Sequence, residues 1–131
     1  MPEGIKKTIL IVEDDAFLST LLSTRFQQAG FNILNAIDGD SAIEVLRGQK
    51  PDLIMLDIIL PKKSGFEVLE QIQSDPTLQK APVIITSNLG QQADIERGKS
   101  LGVIDYFIKA QTPIEDMVSR VNQILASSPQ V

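Results

Sequence analysis

The sequence predicts an α/β protein in which five parallel strands alternate with five helices. Short apolar runs recur along the chain, and each has the length of a buried strand rather than that of a membrane span. Between these runs, apolar residues recur at the three- and four-residue spacing of a helix. Residues that start and stop helices flank these segments, as Asp15 and Gly30 do around the first one.

The element boundaries follow from the same patterns. The predicted strands are 7–12, 31–36, 53–56, 82–85 and 103–108. The predicted helices are 16–29, 41–46, 65–73, 91–101 and 112–126. The fourth helix is polar and weakly patterned, so it buries little apolar area and is a plausible mobile element.

Strand–helix alternation with right-handed crossovers gives a single doubly wound domain with helices on both faces of the sheet. Strand order 2-1-3-4-5 is common at this size, and the first and third strands then flank the point where the order reverses. We expect residues 1–131 to form one domain with its core at about 7–126. Ligands of such sheets bind at the carboxyl ends of the strands.

Composition excludes several kinds of site. The chain has no cysteine and no histidine, which rules out disulfides, thiolate zinc sites, imidazole metal sites and a Ser-His triad. A net charge of -5 without a basic cluster argues against nucleic-acid binding. The sequence has neither a transmembrane run nor a signal-peptide apolar region, so we expect a cytoplasmic protein with no membrane partner.

Polar residues follow four of the predicted strands. Glu13 and Asp14 follow the first strand, Asp57 the third, Thr86 the fourth and Lys109 the fifth. In a parallel sheet these strand ends meet at one edge. Clustered carboxylates repel one another unless a cation or proton offsets their charge, and oxygen ligands suit Mg²⁺ or Mn²⁺. The pattern therefore predicts a divalent metal site.

Phosphoryl transfer onto Asp57 suits this set of residues. A carboxylate can attack phosphorus and form an acyl phosphate, and the step needs mainly positioning and charge stabilisation. Lys109 would supply positive charge and Thr86 a hydroxyl donor to a phosphoryl oxygen. Taken singly, Asp14 is as well explained as a helix cap, Lys109 as a surface lysine and Thr86 as a strand-end residue. Their placement at one sheet edge favours the functional interpretation.

The chain resembles the receiver domains of bacterial two-component response regulators, above all the stand-alone, chemotaxis-regulator-like ones. The resemblance covers about 7–126 and rests on four motifs: ILIVEDD at 9–15, DIILP at 57–61 with Gly65, TS at 86–87 and YFIK at 106–109. It implies a flavodoxin-like fold. It also implies that a partner histidine kinase or phosphotransfer protein phosphorylates the aspartate of the second motif.

The resemblance assigns roles to individual residues. Asp57 would be the phosphoacceptor, and it would bind Mg²⁺ or Mn²⁺ together with Asp14 and the backbone carbonyl of Ile59. Glu13 would hold a metal-bound water. The protein would catalyse its own phosphorylation and slow dephosphorylation without acting as an enzyme on other substrates.

A conformational switch is implied as well. Phosphorylation would draw Thr86 toward the phosphoryl group and turn Tyr106 inward. The face formed by the fourth helix, fifth strand and fifth helix would then change shape for an unidentified target protein. The resemblance places Ile59 and Asn88 at positions that often tune dephosphorylation in the family, and the apolar side chain of Ile59 predicts a long-lived aspartyl phosphate. The family usually has proline, commonly after a cis bond, where this chain has Ala110.

Alternative interpretations stay open at this point. The chain is either a phosphorylated switch, a phosphorylation-independent scaffold, or a receiver fragment of a longer regulator or hybrid kinase. A flavodoxin-like electron carrier needs a hydroxyl- and glycine-rich phosphate loop, and an aspartate phosphatase commonly has a second aspartate where Ile59 stands. We expect a monomer or a phosphorylation-dependent homodimer, in which four charged residues would pair between copies: Arg97, Asp105, Glu115 and Arg120.

Overall fold

The computed structural model describes residues 6–126 and confirms the alternation of strands and helices. The strands are β1 Thr8–Val12, β2 Asn32–Ala36, β3 Leu53–Leu56, β4 Val83–Ser87 and β5 Asp105–Ile108. The helices are α1 Ala16–Gln28, α2 Gly39–Gly48, α3 Gly65–Ser74, α4 Gln92–Ser100 and α5 Ile114–Ala126.

The strands form one parallel sheet in the order β2-β1-β3-β4-β5, as the sequence predicted. The strand order reverses at β1, which pairs with β2 on one side and with β3 on the other. Val12 is level with Leu56, so the residues that follow β1 and β3 leave the sheet side by side. This register brings two segments that are far apart in sequence to the same edge.

Alternating side chains of each strand build two cores, one on each face of the sheet. On one face, Leu10, Ile54 and Ile85 pack against residues of α2 and α3. On the other face, Ile9 and Met55 pack against residues of α1 and α5. Because both faces are covered, β1 and β3 are almost completely buried, which explains their continuous apolar sequences.

Two elements, β4 and α4, bear on function, and the end of β4 differs from the predicted one. β4 continues through Ser87 rather than ending at Ile85, because its backbone stays paired with β5. α4 is confirmed as weakly anchored: Gly98 is the one residue of this helix that is buried. A Cβ on Gly98 would lie 2.8 Å from Cδ1 of Ile85, so glycine lets α4 approach the sheet closely.

Within residues 6–126 no peptide bond is cis, so the bond between Lys109 and Ala110 is trans. In the same part of the chain, no helix combines the length and apolar character that crossing a bilayer requires.

Candidate functional site

The carboxyl edge of the sheet carries an open pocket where four strands end. Glu13, Asp14 and Asp15 come from the β1–α1 connection, and Asp57 and Ile59 from the connection after β3. Ser87 ends β4, Asn88 follows it, and Lys109 directly follows β5. These eight residues line the pocket, which therefore combines carboxylates, a hydroxyl, an amide and an ammonium group.

Asp57 lies at the centre of this pocket and is 4% exposed. Its backbone N–H donates to the carbonyl oxygen of Val12 at 3.1 Å, which extends the β1–β3 pairing by one step. Its side-chain Oδ1 accepts from the backbone N–H of Ile59 at 3.2 Å, and its Oδ2 accepts from Lys109 Nζ at 2.6 Å. The carboxylate is thus fixed on both oxygens and still lines the open pocket.

Glycine at position 65 allows the loop after β3 to fold tightly over α3. A Cβ there would lie 2.3 Å from the Asp57 carbonyl oxygen and 2.8 Å from Cα of Ile58, both backbone atoms that cannot easily move. The Gly65 N–H also donates to the Ile58 carbonyl at 2.9 Å. Ser64 then starts α3 with a capping box, in which its side chain and that of Glu67 each bond the other's backbone N–H.

Lys109 joins two carboxylates across the pocket. Its Nζ lies 2.6 Å from Oδ2 of Asp57 and 2.7 Å from Oε1 of Glu13, and 17% of its side chain is exposed. Burial by itself would lower the pKa of Lys109, but the close contacts and negative charges of Asp57 and Glu13 outweigh it and raise the pKa. The lysine is therefore a fixed positive charge beside the candidate phosphoacceptor.

Glu13 is the most deeply buried acid of the site, at 1% exposure. Its Oε2 accepts from the Asp15 backbone N–H at 3.1 Å, and its Oε1 forms the ion pair with Lys109 without full hydrogen-bond geometry. Burial raises the pKa of Glu13, and the nearby Asp57 charge adds to this, while the Lys109 contact opposes it. The site therefore concentrates negative charge that is only partly offset by the protein's own cation.

Three carboxylates lie close enough together to bind one metal ion. One oxygen each of Glu13, Asp14 and Asp57 can be chosen so that all three lie within 4.8 Å of one another. Asp14 is exposed, whereas the other two are buried, so a cation could keep water ligands on the Asp14 side. An all-oxygen donor set with retained water fits Mg²⁺ or Mn²⁺. The residues present therefore suit the predicted metal.

The structure corrects the placement of Thr86. Because β4 runs on to Ser87, Thr86 is an internal strand residue, level with Phe107 of the α1–α5 core. It lines a pocket of about 240 Å³ between α1 and α5, together with Leu18, Met117 and Lys109, and it does not line the acidic pocket. The hydroxyl that lines the acidic pocket belongs to Ser87.

The sequence contained a weak signal for this difference. Side chains alternate along a strand, so two consecutive hydroxyl residues must face opposite sides of the sheet. Both faces of β4 are buried, however, and Ile84 and Ile85 look alike in sequence. The pattern therefore could not tell which of Thr86 and Ser87 lines the acidic pocket.

Tyr106 and Ser87 are linked through one residue of the β4–α4 loop. The Leu89 N–H donates to Ser87 Oγ at 3.2 Å, and the Tyr106 hydroxyl donates to the Leu89 carbonyl oxygen. Burial raises the pKa of Tyr106, with a further contribution from the Asp94 charge, so the hydroxyl stays protonated as a donor. A displacement of Ser87 would thus change the hydrogen bonding of Tyr106 through Leu89.

Ile59 and Asn88 lie at the rim of the pocket. Ile59 is 61% exposed, and its backbone N–H donates to Asp57 Oδ1. The side-chain Oδ1 of Asn88 accepts from the Ala110 backbone N–H at 3.1 Å. The sequence suggested no such contact, because it joins residues 22 positions apart in two loops.

The charges expected to pair between two copies are engaged within one copy. Arg120 Nε donates to Asp105 Oδ2 at 2.7 Å, and Arg25 Nε to Glu115 Oε2 at 2.7 Å. The Arg97 guanidinium lies 4.3 Å above the Phe66 ring and also pairs with Glu70 at 3.7 Å. A charge-paired dimer would have to exchange these contacts.

Similar proteins carry the same domain. The DNA-binding dual master transcriptional regulator RpaA of Synechocystis is 35% identical over 123 residues, which cover 94% of this chain and 51% of RpaA. The chain spans about half the length of the curated relatives it matches.

Two solved structures of response regulators have a similar fold. The phosphorylated cyanobacterial phytochrome response regulator RcpA has a TM-score of 0.82 at 31% identity, with 96% of this chain and 98% of that chain covered. The Mn²⁺-bound form of response regulator Rcp1 has a TM-score of 0.78 at 28% identity, with 95% and 98% covered. A family model for the response regulator receiver domain matches residues 9–122. With its fold and its acidic pocket, the chain thus belongs to the response regulator receiver domains.

Proposed function

We propose that this receiver domain is a phosphoacceptor switch whose Asp57 takes a phosphoryl group from a histidine kinase or phosphotransfer protein. The observation that carries the proposal is the placement of Lys109 Nζ against Asp57 at 2.6 Å, in a pocket that also holds Glu13 and Asp14. A lysine and three acids at one edge of the sheet suit phosphoryl transfer. The phosphoryl group is negatively charged, and positive charge in the pocket can stabilise it.

The transfer itself is a simple exchange of bonds. An Asp57 carboxylate oxygen attacks phosphorus and forms an O–P bond, while the P–N bond to the donor imidazole breaks and the nitrogen keeps its electron pair. Lys109 balances charge on the phosphoryl oxygens as the group arrives. Ile59 holds Asp57 Oδ1 through its backbone N–H, which orients the attacking carboxylate.

Asp14, Asp57 and the Ile59 carbonyl would hold Mg²⁺ or Mn²⁺, and Glu13 would act through a water molecule. When bound, the cation supplies positive charge against the phosphoryl oxygens. Glu13 meanwhile keeps Lys109 in place through its own ion pair. The chain's residues thus provide both the oxygen ligands and the second positive charge.

Ser87 takes the role that the sequence assigned to Thr86. Its hydroxyl faces the acidic pocket, and donating to a phosphoryl oxygen would pull it away from the Leu89 N–H. Leu89 also holds the Tyr106 hydroxyl, so this movement would release Tyr106 and reshape the α4–β5–α5 face. A target protein would bind the new face. The receiver domain would bind it either as a monomer or as a phosphorylation-dependent homodimer.

The phosphorylated form should be long-lived. Ile59 offers an exposed apolar side chain at the rim, where a polar side chain could orient an attacking water. Asn88 is held by Ala110 and is less free to do so. The domain would thus catalyse its own phosphorylation and only slow dephosphorylation, and we place it in the cytoplasm with its kinase.

Intact-mass spectrometry after incubation with acetyl phosphate and Mg²⁺ tests this proposal. The wild-type protein should gain one phosphoryl group, and Asp57→Asn should gain none because an amide oxygen is a far weaker nucleophile. Asp116→Asn is the matched control, since it changes an exposed acid of α5 in the same way and should be modified like wild type. Unmodified wild-type protein, or a modified Asp57→Asn variant, would refute the assignment.

A further inference from the structure

Two consecutive hydrogen bonds join the end of β4 and the loop that follows it to the loop after β5. The Lys109 N–H donates to the Ser87 carbonyl at 2.9 Å, which continues the β4–β5 pairing beyond the strands. The next N–H, that of Ala110, donates to the side-chain Oδ1 of Asn88 at 3.1 Å. A side-chain carbonyl thus adds a second bond directly after the last backbone bond between these two segments.

This second bond exists because residue 110 carries an N–H. Its partner fixes the orientation of the Asn88 amide, since an N–H donor requires the oxygen and not the nitrogen of that amide. Asn88 and Ala110 are both exposed, so water could satisfy each group if the bond were absent. The bond is therefore of small value to global stability, and its consequence is local geometry.

The local geometry concerns Lys109. A lysine side chain has four rotatable bonds, and its Nζ reaches a defined point only if the backbone it starts from is fixed. Here Nζ must meet Asp57 and Glu13 together, at 2.6 and 2.7 Å. Hydrogen bonds at its own N–H and at that of Ala110 fix this backbone on both sides of the Cα.

We propose that Asn88 is a positioning residue for Lys109, acting through the Ala110 N–H. The proposal rests on the proposed function, because Lys109 is placed there beside the incoming phosphoryl group. It gives Asn88 a role in forming the aspartyl phosphate, beyond the tuning of its hydrolysis. Asn88 itself need not touch the phosphoryl group to fill this role.

The test compares Asn88→Ala with the control Asn122→Ala, which removes an exposed amide from α5. The initial rate of Asp57 phosphorylation at saturating acetyl phosphate and Mg²⁺ should fall about fivefold in Asn88→Ala, the effect of losing one hydrogen bond. The melting temperature should stay at the wild-type value in both variants. Amide hydrogen exchange at Ala110 should accelerate in Asn88→Ala alone, and the NMR signal of the Lys109 ammonium should shift.

Two backgrounds separate positioning from a general structural effect. In Lys109→Ala, adding Asn88→Ala should lower the rate no further, because the group being positioned is gone. In Ala110→Pro, which removes the N–H, adding Asn88→Ala should again have no effect. Asn88→Asp keeps an acceptor oxygen and should restore slow exchange at Ala110.

The outcomes are distinct. A wild-type rate in Asn88→Ala, or an equal loss in the presence and absence of Lys109, would overturn the positioning role while leaving the phosphoacceptor assignment intact. Fast exchange at Ala110 in the wild-type protein would overturn it as well, even if Ala110→Pro failed to fold. Absence of any phosphoryl group on wild-type protein would overturn the positioning role and the proposed function together.

Discussion

The carboxyl edge of the sheet and the α4 side of the domain are built with opposite degrees of constraint. Asp57 and Glu13 are 4% and 1% exposed, and each is held by two contacts above strands that are almost fully buried. α4 buries one of its nine residues, Gly98. The comparison indicates that the acidic site is held by a well-packed frame, whereas α4 is an element with little apolar anchoring.

The largest expected effect tests this contrast in the core. Ile54 in β3 is 0% exposed, and Ile54→Ala should lower the free energy of unfolding by about 2–5 kcal/mol. The identical change in α4, Ile95→Ala, should lower it by only about 1 kcal/mol, because Ile95 is half-buried and removes less apolar area from water. Urea unfolding followed by circular dichroism measures both values.

A comparable loss in the two variants would contradict the contrast. It would mean that α4 contributes to the cooperative core as strongly as β3 does. Hydrogen exchange offers an independent check, since α4 amides should open with a lower free energy than β3 amides in the wild-type protein.

The next effect concerns the two hydroxyls at the end of β4. Ser87→Ala should slow phosphorylation by acetyl phosphate about tenfold, because a hydrogen bond to a charged group is lost. Thr86→Ala should phosphorylate at the wild-type rate, since Thr86 does not line the acidic pocket. Initial rates by intact mass at saturating Mg²⁺ measure the difference.

The opposite ranking, with Thr86→Ala slow and Ser87→Ala normal, would return the role to Thr86. Thr86→Val serves as a control for packing, because it removes the hydroxyl while keeping the shape of the side chain.

How far the sequence could predict this site depends on how each residue is specified. Asp57, Asp14 and Lys109 follow strands whose apolar patterns end sharply, so strand order alone brought them together correctly. Ser87 could not be identified in the same way, because β4 is buried on both faces and its hydroxyl residues continue the strand. Sequence patterns locate a strand end well only where the apolar run stops sharply.

Contacts between loops are the other feature of the site that the sequence could not predict. The bond between Asn88 and the Ala110 N–H depends on the relative height of two loops, which no local pattern encodes. The same holds for the Leu89 carbonyl that receives the Tyr106 hydroxyl. Strand propensities and periodicity describe the frame, while these polar contacts follow only once the frame has been assembled.

Tyr106→Phe tests the α4 side of the domain, and its expected effect is smaller and local. The variant loses the hydrogen bond to the Leu89 carbonyl and should be less stable by about 1 kcal/mol. Hydrogen exchange in the β4–α4 loop should accelerate, while phosphorylation of Asp57 should keep its wild-type rate because Tyr106 does not line the acidic pocket. Unchanged exchange in that loop would show that the hydroxyl does not anchor it.

Alkaline pH gives this variant a second signature. The pKa of Tyr106 is raised in the folded protein, so folding favours its protonated form, and the stability this contributes is lost as pH rises above the unfolded value of about 10. The phenylalanine variant lacks this component. The stability difference between the two proteins should therefore narrow above that pH, and a constant difference would contradict the assignment.

The smallest expected effect is at Arg97, which ties α4 to α3. Its guanidinium stacks on Phe66 at 4.3 Å, and Arg97→Ala should lower stability by about 0.5–1 kcal/mol, the range of an exposed cation–π contact. The ion pair with Glu70, at 3.7 Å and more than half exposed, should add little, so Glu70→Gln should be close to neutral. Arg97→Lys keeps the charge but loses the planar stack, and should resemble Arg97→Ala more than wild type. If stability instead followed the charge and declined with added salt, the ion pair would be the contact that restrains α4, and the stacking on Phe66 would be incidental.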